Sequence, residues 1–92
     1  MNNFLSAQQV REAIEAHKKE AIRRKEEFAR QELAKLTQHL MAAYRTRFIM
    51  AMGTFKKTYG DFDIARRILT DNGYVVRTEE RDCVLSVIIE VP

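Results

Sequence analysis

The side chains that could do chemistry are few and scattered. His17 and His39 are the only histidines, 22 residues apart. On one helix that separation is about 33 Å, too far to share a metal. Cys83 is the only cysteine. It has no base near it in sequence and reads as a half-buried structural thiol rather than a nucleophile. An internal disulfide framework and a cysteine-based zinc cage are thereby excluded. Asp61 and Asp63 could form a carboxylate pair, but helix capping and the helix dipole account for both. The three glycines stand singly at caps and turns, so no glycine-rich loop is available to cradle a phosphate. The expectation is a chain with no enzymatic activity, no metal and no cofactor.

Binding chemistry is better represented. Residues 33–60 contain no acidic side chain, yet hold Lys35, His39, Arg45, Arg47, Lys56 and Lys57 among Tyr44, Phe48, Phe55 and Tyr59. Cations interleaved with aromatics suit a phosphate backbone with stacked bases. An acidic protein surface asks for much the same charges, and a helical core with a solvated basic face would also produce the pattern. Arg45, Arg47, Lys56 and Lys57, with Phe48, Met52 and Phe55 as apolar anchors, form the expected partner-binding set. Met41, Met50 and Met52 are adaptable contacts for a core or a partner groove.

The elements that must position these residues begin with a helix. Residues 6–52 contain neither Gly nor Pro and read as one very long helix or two abutting ones. A continuous helix there would extend roughly 70 Å, against a radius of gyration of about 12–13 Å for a compact domain of this size. It must break, or project and meet another chain. Ser6 with Gln9 fits a capping box, with Leu5 and Val10 as its staple. Between residues 11 and 35 lie eight basic and six acidic side chains. Glu15–Lys19, Glu20–Arg24 and Glu26–Arg30 are spaced to support a solvated helix. Val10, Ile14, Ala21 and Phe28 form a sparse apolar line, and Leu33, Leu36, Leu40, Tyr44 and Phe48 a denser one. The drift between the two speaks against a regular heptad coiled coil.

Gly53 suits the end of that helix, residues 53–60 a linker, and Asp61 the cap of a second helix over 61–73, stopped at Asn72-Gly73. Residues 74–78 read as a strand, 79–82 as a polar turn and 83–91 as a second strand. The chain is thus read as a single α+β domain over 1–92: a long N-terminal helix, a short helix and a two-stranded antiparallel hairpin. Two strands alone make a marginal sheet, and the last one carries apolar side chains on both faces. We expect a homo-oligomer, most simply a dimer, or a permanent complex with another protein, with an interface that uses Leu33, Leu36, Leu40, Tyr44, Val87 and Ile89.

The helix over 62–72, the run Gly-Tyr-Val-Val-Arg, a charged turn and Cys-Val-Leu-Ser-Val-Ile-Ile resemble the recognition helix and wing of winged-helix DNA-binding domains. The resemblance covers about a third of the chain. The preceding partner helix of a helix-turn-helix is not convincing in the sequence, because seven residues intervene between Gly53 and Asp61. The resemblance implies that Arg66 and Arg67 face the groove of the nucleic acid, and that Arg77 or Arg81 meets its backbone.

A formal charge of +3 over 92 residues does not by itself mark a nucleic-acid binder. No apolar run approaches the ~20 residues that span a bilayer. The first residues lack the pattern of a signal peptide, and the expected setting is cytoplasmic and reducing. The function expected from these readings is non-catalytic protein binding and oligomerisation. Size suggests a small phage- or mobile-element-type inhibitor or adaptor that docks a host protein; the alternative is a nucleic-acid-binding protein with a winged-helix-like C-terminal half.

Overall fold

A computed structural model of the chain describes residues 4–92; Met1, Asn2 and Asn3, part of the segment read for a signal peptide, lie outside the described residues. Helix α1 (Ala7–Ala42) is followed by strand β1 (Arg47–Ala51), helices α2 (Met52–Tyr59) and α3 (Phe62–Asp71), and strands β2 (Val75–Arg81) and β3 (Val84–Glu90). The strands form one antiparallel sheet in the order β1-β3-β2. The α+β class and the long first helix agree with the sequence reading, but the sheet has three strands, not two. No described helix is long and apolar enough to cross a membrane.

Helix α1 starts as its sequence dictates. Gln9 N donates to Ser6 Oγ at 3.1 Å, and Ser6 N to Gln9 Oε1 at 2.9 Å, closing the capping box. Of the three spaced ion pairs, Glu20–Arg24 forms at 3.3 Å. Glu15–Lys19 and Glu26–Arg30 do not form among the described residues, and Arg23 bridges Glu20 and Glu27 at 2.7 Å each. The helix ends well before Gly53. Ala43 N donates to His39 O, Tyr44 N to Met41 O and Arg45 N to Leu40 O. Tyr44 takes a left-handed backbone, φ 54°, so this is a Schellman stop with a tyrosine where glycine is usual. Helix α3 ends in the same motif: Tyr74 N donates to Leu69 O and Gly73 N to Thr70 O, with Gly73 at φ 89°.

Residues 47–51, expected to be helical, form β1 instead. Its partner is β3, with Phe48 opposite Ile89 and Met50 opposite Val87. The third strand of the sheet therefore comes from the same chain, and it occupies the strand edge that had suggested a second one. Val87 and Ile89 face the helices and are buried in the core; Ile88, on the other face, is only 2% exposed. Across the ladder Ile88 is flanked by Ile49 and Arg77. Arg77 bonds Glu90, which Arg47 also approaches at 3.8 Å; arginine stems laid along a sheet can cover apolar surface in this way.

Residues 53–60, expected to be a linker, are mostly helix α2. Its N-cap, Ala51, makes no side-chain capping bond. Burial holds it instead: Phe55 and Tyr59, one turn apart, are both in the core with ring centroids 4.8 Å apart. Phe62 meets Phe55 edge-on at 5.7 Å. Gly60 (φ 82°) then turns the chain sharply, with Phe28 packed 3.5 Å from where a Cβ would sit. Asp61 accepts from Ile64 N at 3.1 Å and caps α3. The hairpin turn is two residues, Asp82 and Cys83, both left-handed at φ 53° and 64°, the geometry of a tight type I′ connection. Strand β2 thus runs to Arg81, beyond the expected turn at 79.

The core uses only the C-terminal part of α1, through Ala29, Leu33, Leu36 and Leu40. At about 1.5 Å per residue the 36-residue helix is about 54 Å long, so its N-terminal half stands clear of the body. The chain extends 64 Å along its longest axis, with a radius of gyration of 18.1 Å.

Two left-handed side chains give the first prediction. Tyr44 is 96% exposed and Cys83 is also exposed, so neither contributes packing that glycine would lose. Tyr44→Gly and Cys83→Gly should each stabilise the fold by about 1 kcal/mol, a rise in Tm of roughly 4–8 °C. Gly60→Ala, at positive φ against Phe28, should lower it. Thermal and urea unfolding followed by circular dichroism check all three.

Candidate functional site

The pair α2–α3 is the site's frame. Gly60 and Asp61 alone separate the two helices, so the partner helix missing from the sequence reading is present within the supposed linker. Ala65 and Leu69 anchor α3 to the core. Asp63, Arg66, Arg67 and Thr70 fall at i, i+3, i+4 and i+7, a single helical face, and all four are exposed. Arg66 and Arg67 have no ion-pair partner among the described residues. Lys56 and Lys57, exposed in the last turn of α2, are likewise unpaired there.

The hairpin arginines are placed differently. Arg77 bonds Glu90, and Arg81 Nη2 lies 3.3 Å from Glu79 Oε1. Glu79, Glu80 and Asp82 make the hairpin tip acidic overall. Of the four arginines that the winged-helix resemblance singles out, two are therefore free and two are engaged.

The expected partner-binding set divides. Arg45, Arg47, Lys56 and Lys57 are exposed, but Phe48 and Met52 are half-buried against the core and Phe55 is 0% exposed. The apolar anchors of that set are already spent on the fold, because β1 and α2 replaced a continuous helix that would have left them outside. A similar correction applies to the expected oligomer interface. Leu33, Leu36, Leu40, Val87 and Ile89 are buried in the chain's own core, and of those six residues only Tyr44 remains on the surface.

His17 and His39 are both exposed on α1, and no three His, Cys, Asp or Glu side chains converge among the described residues. Cys83, expected to be half-buried, is exposed at the hairpin tip. Tyr59, read from the sequence as one of the aromatics of the basic segment, is buried in the core. Its phenol is held above the ordinary 10.0 by burial first and by the nearby Glu32 carboxylate second.

Comparison with protein-family models, with curated proteins and with solved structures gives no match.

Two predictions follow from this packing. Phe55→Ala should cost about 3–5 kcal/mol, the range for an aromatic side chain deleted from a core, read by urea unfolding. The folded state favours the neutral Tyr59 phenol, so its contribution to stability is complete below pH 10 and is lost as pH rises through the raised folded value. Alkaline unfolding of Tyr59→Phe should lack that part of the decline.

Proposed function

We propose that this chain is a non-catalytic binding protein that docks on duplex nucleic acid through α2 and α3. The observation that carries this reading is the exposed face of α3, where Arg66 and Arg67 are unpaired beside Asp63 and Thr70 on a helix held by a two-residue turn to α2. Helix α3 followed by the β2–β3 hairpin keeps the element order on which the resemblance to winged-helix domains rests. In such helix pairs the second helix enters the major groove. Arginine can pair bidentately with guanine, Thr can reach either base type, and Asp can accept from cytosine. Lys56 and Lys57 would neutralise phosphates flanking that groove. The hairpin would contribute little, since Arg77 and Arg81 are already engaged by carboxylates.

A second reading, docking on another protein as an inhibitor or adaptor of the phage or mobile-element type, is favoured by the acidic hairpin tip. Glu79, Glu80 and Asp82 oppose a phosphate chain but suit a basic protein surface.

A titration of labelled duplex and single-stranded DNA at two salt concentrations separates the readings. Nucleic-acid docking predicts duplex binding that weakens steeply with salt. Arg66→Ala or Arg67→Ala should cost about 1–3 kcal/mol, and Lys57→Ala should reduce the salt slope by about one. Absence of duplex binding at low salt would sink the nucleic-acid reading in favour of the protein one, and duplex binding indifferent to both arginine changes would sink the assignment to α3.

A further inference from the structure

The projecting half of α1 carries a second apolar stripe, distinct from the one that enters the core. Ala29, Leu33, Leu36 and Leu40 face the body. Val10, Ile14, Ala21 and Phe28 lie on a neighbouring face, about 100° round the helix at 100° per residue. Val10, Ile14 and Phe28 are between 41% and 48% exposed, and Ala21 is exposed as well. Taken over 7–28 alone, the stripe repeats every seven residues: Ala7, Ile14, Ala21 and Phe28 in one row, with Val10, His17 and Arg24 in the row beside it. The drift that spoke against a heptad came from joining this stripe to the core stripe beyond it.

The charges beside the stripe say what covers it. One flank is Arg11, Lys18 and Lys25, all basic and unpaired among the described residues. The opposite flank is Ala13, Glu20 and Glu27, whose two glutamates also meet Arg23 of their own helix at 2.7 Å. Two such helices side by side and parallel bring Glu20 of each against Lys25 of the other, the favourable flank pairing of a two-stranded coil. Antiparallel, the basic flanks would face one another, as would the acidic flanks. Nucleic acid is a poor occupant, because Glu12, Glu15, Glu20, Glu26 and Glu27 line the same projecting segment.

We infer that the projecting half of α1 is a self-association surface, on which a second copy of this chain docks parallel and in register over residues 7–28, the last turn lying beside the body, where Phe28 also meets Gly60 and Lys25 shares a cavity with Asp61 and Phe62. The contact stops there, since the next flank pairing would set Glu27 against Glu32. His17 and Arg24 make the seam weak and specific in register, as polar residues at such positions do; Arg24 is engaged by Glu20 within its own helix. The inference deepens the binding-module reading by naming a partner and its orientation. It would place the two α3 helices at one end of the assembly, so that any nucleic-acid target carries two related half-sites.

The test needs no nucleic acid, so its outcome is separable from that of DNA docking. Sedimentation of the full chain at tens of micromolar should show a dimer. In a Cys83→Ser background, Ala21→Cys should form a disulfide-linked dimer under mild oxidation, and Ala16→Cys, on the opposite side of the helix, should not. Glu20→Lys or Lys25→Glu alone should weaken dimerisation by roughly fivefold or more, and the double exchange should restore it, with circular dichroism confirming that each variant remains helical. A monomer at these concentrations overturns the inference. So does a mixture of Val10→Cys and Ala21→Cys chains that links preferentially to each other, since joining one row to the other at positions eleven apart requires antiparallel helices.

Discussion

The pairing of β1 with β3 is the contact on which the rest of this structure depends. It joins residues 47–51 to residues 86–90, two segments nearly half the chain apart. To make it, the chain must leave α1 at Ala43 and run extended, which starts α2 only at Met52. The pairing places Phe48 and Met50 beside Ile89 and Val87 on the core face of the sheet. It also makes β3 the central strand, so both its edges are paired within the chain; Val87, Ile88 and Ile89 are buried, while Val84 and Leu85 stay exposed. Phe55, the most fully enclosed large side chain, is buried because α2 is held in place directly after β1.

That pairing also decides what the surface offers. With α2 formed, α3 acquires a partner helix across Gly60 and Asp61, and Arg66 and Arg67 are presented from a firmly seated element rather than from a helix following a loose linker. A side chain positioned by a packed scaffold loses less freedom on binding. The same rearrangement withdraws Phe48, Met52 and Phe55 from the surface. The basic residues around them remain outside, so the basic-aromatic segment splits into a core half and a solvated half. Its charge distribution survives as a feature of the surface; its aromatic component, apart from Tyr44, belongs mainly to the fold.

Helix α1 serves two structural environments along one continuous backbone. Its C-terminal part is a conventional core helix, whereas its N-terminal part is stabilised by capping and by local ion pairs around Glu20 and Arg23. Exposed pairs of this kind contribute only a few tenths of a kcal/mol each. A helix with so little packing is marginal on its own, and it is carried here by continuity with the buried turns that follow Ala29. The two apolar stripes, offset round the axis, are the mark of that division.

Much of this was written locally in the sequence. The start of α1 was legible because Ser6 and Gln9 satisfy each other's backbone groups within four residues. The start of α3 was legible from Asp61, its end from Gly73, and the hairpin from the apolar run after it. Each of these signals acts over a few positions and needs no distant partner. The end of α1 was not legible, although it uses the same hydrogen-bonded stop as α3, because its left-handed residue is Tyr44 where α3 has Gly73. Residues 47–51 can be helical or extended, and only β3, brought alongside by folding, settles them as strand. Residues 53–60 begin and end in glycine and lack a side-chain cap, so local propensity argues against a helix that the burial of Phe55 and Tyr59 imposes. The candidate site followed the same division: Arg66 and Arg67 could be placed on one short helix from spacing alone. Their freedom from ion pairs, the engagement of Arg77 by Glu90 and the presence of a partner helix were decided by tertiary structure, since each depends on segments that meet only in the folded chain.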